Sequence, residues 1–204
     1  MEGNKFFPLI YDLAMRPLER RNFQNIRKRL IKQAEGRVLE LGSGTGVNFP
    51  YYSNVYSVDA VEPNIGMVNH AFKNGKHAEV PIRVHDAKAE QLPFNDQTFD
   101  SVVATLVFCT ISDPVLALNE IERVCKPGAK VILFEHVRTE PNWVACTQDI
   151  LTPLWKRMCG GCHLNRNTLD LLEKSNLTVE HVDSYYKGIF LTIIARANGL
   201  SLSD

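Results

Sequence analysis

Val38-Leu39-Glu40-Leu41-Gly42-Ser43-Gly44-Thr45-Gly46 joins a run of β-forming residues to a turn in which every second residue is glycine. Glycine adopts positive φ and lets a backbone approach a bound molecule, so the stretch predicts a ligand-holding loop at the carboxyl end of a strand. The G-x-G-x-G spacing departs from the G-x-G-x-x-G of dinucleotide sites, where a helix N-terminus faces a pyrophosphate. Glu40, two residues before the first glycine, would repel that group. It suits a ligand that carries an ammonium and a sulfonium but no phosphate, with the ligand's own carboxylate left to the loop N–H groups. No Gly-Lys-Ser/Thr follows, which rules out a P-loop. A nicotinamide oxidoreductase is disfavoured on the same grounds.

Around this loop, short β-rich runs alternate with helical stretches. Strands are expected at Arg37–Leu41, Val55–Val61, Ile82–His85, Phe99–Val107 and Lys130–Glu135. Helices are expected at Ile65–Phe72 and at Pro114–Cys125, the latter closed by Lys126-Pro127-Gly128. The alternation argues for an α/β fold with a parallel sheet covered on both faces. Val179–Tyr186 and Ile189–Ala197, separated by Lys187-Gly188, predict an antiparallel hairpin. Residues 137–175 form an inserted helical piece carrying Trp143 and Trp155.

Acids stand at the ends of successive strands. Glu62, twenty residues beyond Gly42, closes the second strand, where a carboxylate can accept both hydroxyls of an adenosine ribose. Asp59 competes for that role, but strand alternation puts it on the other face. Asp86 after the third strand is placed to take an adenine amino group. Ligands of open α/β sheets bind at these carboxyl ends.

The run Glu40–Gly46, Glu62-Pro63-Asn64, His85-Asp86-Ala87, Gln91-Leu92-Pro93-Phe94 followed by Thr98–Val102, and Arg123-Val124-Cys125-Lys126-Pro127-Gly128 resemble the class I S-adenosylmethionine-dependent methyltransferases, particularly the ubiquinone/menaquinone-methyltransferase-like group. The resemblance covers residues 36–136. It implies a Rossmann-like, seven-stranded, mostly parallel sheet of order 3-2-1-4-5-7-6 with the last strand antiparallel. It also implies S-adenosylmethionine as cofactor and S-adenosylhomocysteine as product. By position, it implies Glu40, Gly42, Ser43, Gly44 and Gly46 around the methionine end and Glu62 with Pro63 at the ribose. Asp86 and Ala87 then fall at the adenine, Thr105 and Leu106 beside the sulfonium, and Met67 and Tyr11 elsewhere on the cofactor. A narrower resemblance, carried by Phe134-Glu135-His136-Val137, Gln148, Pro153-Leu154-Trp155, Gly161-Cys162 and Leu164-Asn165-Arg166, is to methyltransferase-like proteins that include the animal thiol S-methyltransferases. His163 and Gly160 depart from that pattern.

Methyl transfer from a sulfonium is an in-line displacement with an activated leaving group, so orientation and water exclusion supply much of the acceleration. A base helps when the acceptor is a protonated thiol, hydroxyl or acidic carbon. His136, just after the fifth strand, is the first candidate for base or acceptor contact and His163 the second, with Gln148 and Asp149 as further polar contacts. Cys159-Gly160-Gly161-Cys162-His163 has the look of a haem-attachment signature, but such proteins are exported and no export signal is present. A zinc site from Cys159, Cys162 and His163 lacks a fourth ligand, and no metal is expected; a structural turn, an acceptor-site wall or a redox-sensitive thiol remain. Cys109 is placed to line the acceptor cavity or to fill core. The aromatic residues Phe6, Phe7, Tyr11, Trp143 and Trp155 are candidates for a lid or for ordinary packing.

The 204 residues carry 45% apolar side chains, 10 Phe, 6 Tyr and 2 Trp among them, enough for one folded domain and too many for disorder. Twenty-three basic residues balance 23 acidic ones, so no nucleic-acid partner is expected. The longest apolar run, residues 101–112, is too short for a membrane span, and five cysteines without a signal peptide suggest reduced thiols and a cytoplasmic setting. Arg16–Glu35 has helical periodicity with Arg20, Arg21, Arg27, Lys28, Arg29 and Lys32 interspersed. Residues 1–35 hold eight basic and four acidic residues. This basic segment is either a peripheral membrane contact and lid or a helix packed on a main domain spanning 36–204. The expected partner is a small-molecule or lipid-like acceptor, thiol sulfur slightly favoured over a quinone carbon or a phospholipid amine. The reading from another class is a membrane-associated protein that keeps the cofactor fold without catalysis.

Overall fold

A computed structural model describes residues 23–139, 142–158 and 161–199. The elements run α1 (Gln24–Ile31), β1 (Gly36–Leu41), a 3-10 turn (Phe49–Tyr51), β2 (Val55–Val61), α2 (Ile65–Gly75), β3 (Ile82–His85), β4 (Phe99–Thr105), α3 (Pro114–Val124), β5 (Cys125–His136), α4 (Asn142–Met158), α5 (Thr168–Glu173), β6 (Leu177–Tyr185) and β7 (Phe190–Ala197). They build one sheet of order β3-β2-β1-β4-β5-β7-β6, in which β7 pairs antiparallel with both β5 and β6 and every other pairing is parallel. This is the expected Rossmann-like order.

Strand alternation divides the core. Leu39 and Leu41 on β1, Val102 and Ala104 on β4 and Val131 and Leu133 on β5 join the layer that contains α3 and α5. Val38, Val103, Ile132 and Phe134 face the other layer, with Phe23 and the apolar side of α1. Phe23 packs edge-on to Phe134 and Phe190, at 5.1 and 4.9 Å between ring centroids. The described part of the basic segment is thus a helix packed on the sheet, and it buries Arg27 along with Ile26, Leu30 and Ile31. Tyr11, Phe6 and Phe7 lie outside the described residues.

Helix entries follow the sequence signals. Asn64 caps α2 by accepting the N–H groups of Gly66 and Met67, and Asp113 caps α3 by accepting those of Val115 and Leu116, with Pro114 in the first turn. Several boundaries shift by one to three residues, and two junctions differ in kind. Lys126-Pro127-Gly128 ends α3 but already belongs to β5, because Cys125 pairs with Phe99. The hairpin loop spans four residues rather than two, since Tyr186 and Lys187 adopt left-handed φ values of 54° and 59° ahead of Gly188. On α4, Trp143, Ile150, Leu151, Leu154 and Trp155 are exposed, and among the described residues no helix is long and apolar enough to cross a membrane.

Candidate active site

The glycine loop leaves β1 and turns over the ends of β1, β2 and β4. Gly42 has φ +58°, and a Cβ there would come within 2.6 Å of the Val107 side chain, so the loop lies against the residues after β4 only because this position has no side chain. At Gly44, φ is +56° and a Cβ would meet nothing nearer than the Met67 sulfur at 3.9 Å; the space above the loop is open and α2 supplies its side wall. The Ser43 N–H donates to the Val61 carbonyl at 3.1 Å, the Gly46 N–H to the Ser43 carbonyl at 2.8 Å, and the buried Ser43 hydroxyl has no partner. Glu62 bridges the loop and the entry to α2, with Pro63 between: its carboxylate accepts the Gly44 N–H and the Asn64 N–H, both at 2.9 Å. Burial pushes its pKa up. Asp59, on the other face as alternation requires, is taken by Arg37 at 2.8 Å and His85 at 2.9 Å. Asp86 stands near Glu62, and a cleft of about 340 Å³ opens between Asp86, Ala87, Lys88, Gln91, Leu92 and Pro93.

Glu40 differs from the simplest expectation. It is 1% exposed, and alternation sends its carboxylate to the α1 side of the sheet, as it does Val38. There it accepts Asn48 Nδ2–H at 2.9 Å, beside the Tyr52 hydroxyl and the Arg27 guanidinium. Arg27 donates to Asn48 Oδ1 at 3.0 Å and to Thr105 Oγ1, which also accepts Asn48 Nδ2–H at 2.9 Å. Desolvation raises the Glu40 pKa to about 7 against the lowering effect of Asn48, Tyr52 and Arg27. Thr105 likewise turns its hydroxyl into this network, under the floor of the loop.

The next residue, Leu106, is a non-glycine at φ +59°, its N–H held by the Phe134 carbonyl at 2.7 Å. A left-handed apolar residue at the end of a central strand is a strained turn of the kind concentrated at binding sites. Beyond it, Glu135 Oε1 accepts the Val107 and Phe108 N–H groups at 2.9 and 3.2 Å, and burial pushes this carboxyl up to about 8. His136 sits where expected, at the end of β5, but only 8% exposed; burial lowers its pKa to about 4, which makes it a weaker base than a solvated histidine. The Cys109 and Cys162 sulfurs lie within 4.8 Å of each other. This proximity, helped by Trp155 and Arg166, lowers the pKa of Cys162; the same neighbour and burial raise that of Cys109 well above normal, against the lowering effect of Arg166. His163 backs this wall through its N–H to the Cys109 carbonyl at 2.8 Å. Gln148 and Asp149 each already have partners within the chain. Gln148 accepts the Thr139 N–H at 2.9 Å and donates to the Val137 carbonyl at 3.0 Å, while Asp149 pairs with Arg138 at 3.0 Å and Asn165 at 2.9 Å. Trp155 borders Cys162, Trp143 points to solvent, and Cys159 lies outside the described residues.

A family model described as a methyltransferase domain matches residues 39–133. The chain is 34% identical over 171 residues to thiol S-methyltransferase TMT1B of Rattus norvegicus, covering 80% of this chain and 69% of that one. This chain belongs to the S-adenosylmethionine-dependent methyltransferases. A phosphatidylethanolamine N-methyltransferase of Cereibacter sphaeroides is 30% identical over 57% of this methyltransferase and 58% of its own length. A solved S-adenosylmethionine-dependent methyltransferase from Thermotoga maritima shares the fold at TM-score 0.69 and 22% identity, covering 95% of this chain and 98% of that chain.

S-adenosylmethionine is the methyl donor of the family, and the site fits it. The open space over Gly44, the orphaned Ser43 hydroxyl and the Glu62 carboxylate at the strand end suit a nucleoside with an amino-acid tail. Asn48 and Tyr52 carry no signal in the sequence, and Arg27, Glu135 and Arg166 stand there only as parts of the basic segment or of a resemblance, with no role at the site. Only the strong preference against burying a lone carboxylate could have signalled that Glu40 needs a nearby cation and amide.

Proposed function

We propose that this methyltransferase transfers the donor methyl to a thiol sulfur. Supporting this is the composition of the wall beyond the strained Leu106: Cys109, Cys162 and His136, two sulfurs and a neutral imidazole in a largely dry corner. Such a wall suits a soft, apolar nucleophile better than the hydrated phosphate of a lipid headgroup. The rat relative is named a thiol S-methyltransferase, in keeping with this acceptor.

In this proposal Gly42, Ser43, Gly44 and Gly46 hold the methionine end of the donor by backbone N–H groups, and Glu40 acts from beneath as a buried counter-charge. Glu62 takes the ribose hydroxyls with lone pairs left over from Gly44 and Asn64, Pro63 and Met67 border the sugar, and Asp86 with Ala87 receives the adenine. The donor supplies a methyl group already bound to a sulfonium, so the chain's work is to align the acceptor with it past Thr105 and Leu106 and to exclude water. His136 is an acceptor contact rather than a strong base.

A transfer screen with labelled S-adenosylmethionine across alkyl thiols, quinols and phosphatidylethanolamine tests this proposal. Methylation of thiols is expected, and transfer confined to quinols or phosphatidylethanolamine would overturn it. Gly44→Arg fills the open space over the loop and should abolish adenosylhomocysteine binding in calorimetry while the protein stays folded.

A further inference from the structure

Three side chains outside the donor cradle converge next to it. Cys109 Sγ, a ring nitrogen of His136 and Cys162 Sγ all lie within 4.8 Å of one another. They come from the loop after β4, the last residue of β5 and the segment between α4 and α5, so the fold rather than any local motif assembles them. Cys109 and His136 are buried and Cys162 is half-buried. Neither nitrogen of His136 reaches a hydrogen-bond partner, although the residue is only 8% exposed. A buried imidazole with both nitrogens idle is an unusual expense in a folded core.

We propose that Cys109, His136 and Cys162 form a zinc site whose fourth coordination position takes the sulfur of the acceptor. The last clause rests on the thiol-acceptor proposal above.

Tetrahedral zinc separates two thiolate ligands by about 3.8 Å and a thiolate from an imidazole nitrogen by about 3.5 Å, both inside the observed spread. Two thiolates and one imidazole make a soft donor set that selects zinc over magnesium or calcium. Three protein ligands with one position left open is the pattern of catalytic zinc, whereas structural zinc is closed by four. The surroundings match the outer shell of such a site. The Leu164 backbone lies close to the His136 ring and can orient it through the nitrogen that does not bind metal. The Trp155 indole borders Cys162, and Arg166 lies beside both sulfurs, anchored on the Phe108 carbonyl and at 2.6 Å on the Ile111 carbonyl. Cys109 Sγ is 3.8 Å from the Leu106 carbonyl, which puts the cluster against the strained turn where donor and acceptor meet.

The chemistry balances without an oxidant. An acceptor R–SH loses its proton to solvent on binding zinc. A lone pair of the zinc-held sulfur then forms the new S–CH3 bond as the methyl–sulfonium bond breaks, and that bond's electron pair stays on the sulfur of adenosylhomocysteine. The neutral thioether is a poor zinc ligand and leaves.

The test uses the full chain, reduced with a phosphine rather than a thiol. One zinc per chain by plasma mass spectrometry is expected. Replacing it with cobalt should give a thiolate-to-cobalt charge-transfer band that grows when ethanethiol is added in the absence of donor. Cys109→Ser and Cys162→Ser should each weaken metal binding tenfold or more, with circular dichroism confirming the fold and His136→Asn as a second probe; Cys125→Ser and Cys146→Ser should keep full occupancy. Substoichiometric metal, full occupancy in Cys109→Ser, or a Cys109–Cys162 disulfide in the reduced protein would overturn the site. A cobalt spectrum indifferent to ethanethiol would overturn the open position. If ethanethiol alters the spectrum yet no thiol is methylated, the proposed function falls and the zinc site stands; if metal-free protein methylates thiols at the full rate, the zinc site falls and the proposed function stands.

Discussion

The Glu62 carboxylate accepts the Gly44 N–H at 2.9 Å, so the acid at the end of the second strand holds the glycine loop as well as facing the space above it. Its other oxygen is occupied by the Asn64 N–H at the start of α2. One side chain therefore sets the distance between the two walls of the donor cradle. Glu62→Gln puts an N–H₂ where one of these backbone donors points and removes the charge. Adenosylhomocysteine affinity is expected to fall tenfold or more in calorimetry, consistent with ~1.5 to 3 kcal/mol for a charge-assisted hydrogen bond. An unchanged affinity would remove Glu62 from the site.

Asp59 provides the contrast. It is buried between Arg37 and His85, tying β1, β2 and β3 together on the face away from Glu62. Asp59→Asn should cost stability, about 1 to 3 kcal/mol by urea unfolding once the partial exposure of Arg37 is allowed for. Donor affinity at saturating folded protein should be retained. A variant that loses affinity but not stability would exchange the roles of the two acids.

Glu40 sets a pH dependence. Its carboxyl ionises near pH 7 in the folded protein against 4.5 ordinarily. The folded state therefore holds a proton that the unfolded chain releases first, and stability falls as the pH rises from about 4.5 to about 7. The full effect is on the order of 3 kcal/mol. Glu40→Gln keeps an acceptor for Asn48 and removes the ionisation. The melting temperature of this variant should gain on that of the wild type as pH increases across that window, and parallel curves would contradict the assignment.

Gln148 clamps α4 to the chain leaving β5 through Thr139 and Val137. Gln148→Leu leaves a buried N–H and a buried carbonyl without partners, at about 1 to 3 kcal/mol. Faster hydrogen exchange and faster proteolytic cleavage within residues 137–165 are expected, with the rest of the sheet protected. Uniform loss of protection across the molecule would mean that α4 is integral to global stability.

The sheet was legible because its signals are local: β-branched runs, glycines at their ends, and the Asn64 and Asp113 caps. The acids at the strand ends were legible for the same reason. Where the sequence was less informative, the determining partner lies far along the chain. Glu40 was expected to face the ligand directly, yet period-two alternation sends it towards Asn48 and Arg27, on a turn and a helix whose packing no short window shows. In the sequence Cys162 stands with Cys159 and His163, whereas its neighbours in space are Cys109 and His136. Gln148 and Asp149 have the chemistry of acceptor contacts but are occupied by backbone and side-chain partners that exist only after α4 docks.

Charge and periodicity draw a border after residue 35, yet Arg27 sits across it, sharing Asn48 and Thr105 with the carboxylate beneath the loop, while Phe23 fills the corner between Phe134 and Phe190. A fragment trimmed to begin at Gly36 would strand Glu40 without its cation and bare an aromatic seam. Any recombinant or natural shortening at that junction thus reaches the chamber from below, and donor affinity is the property that would register it first.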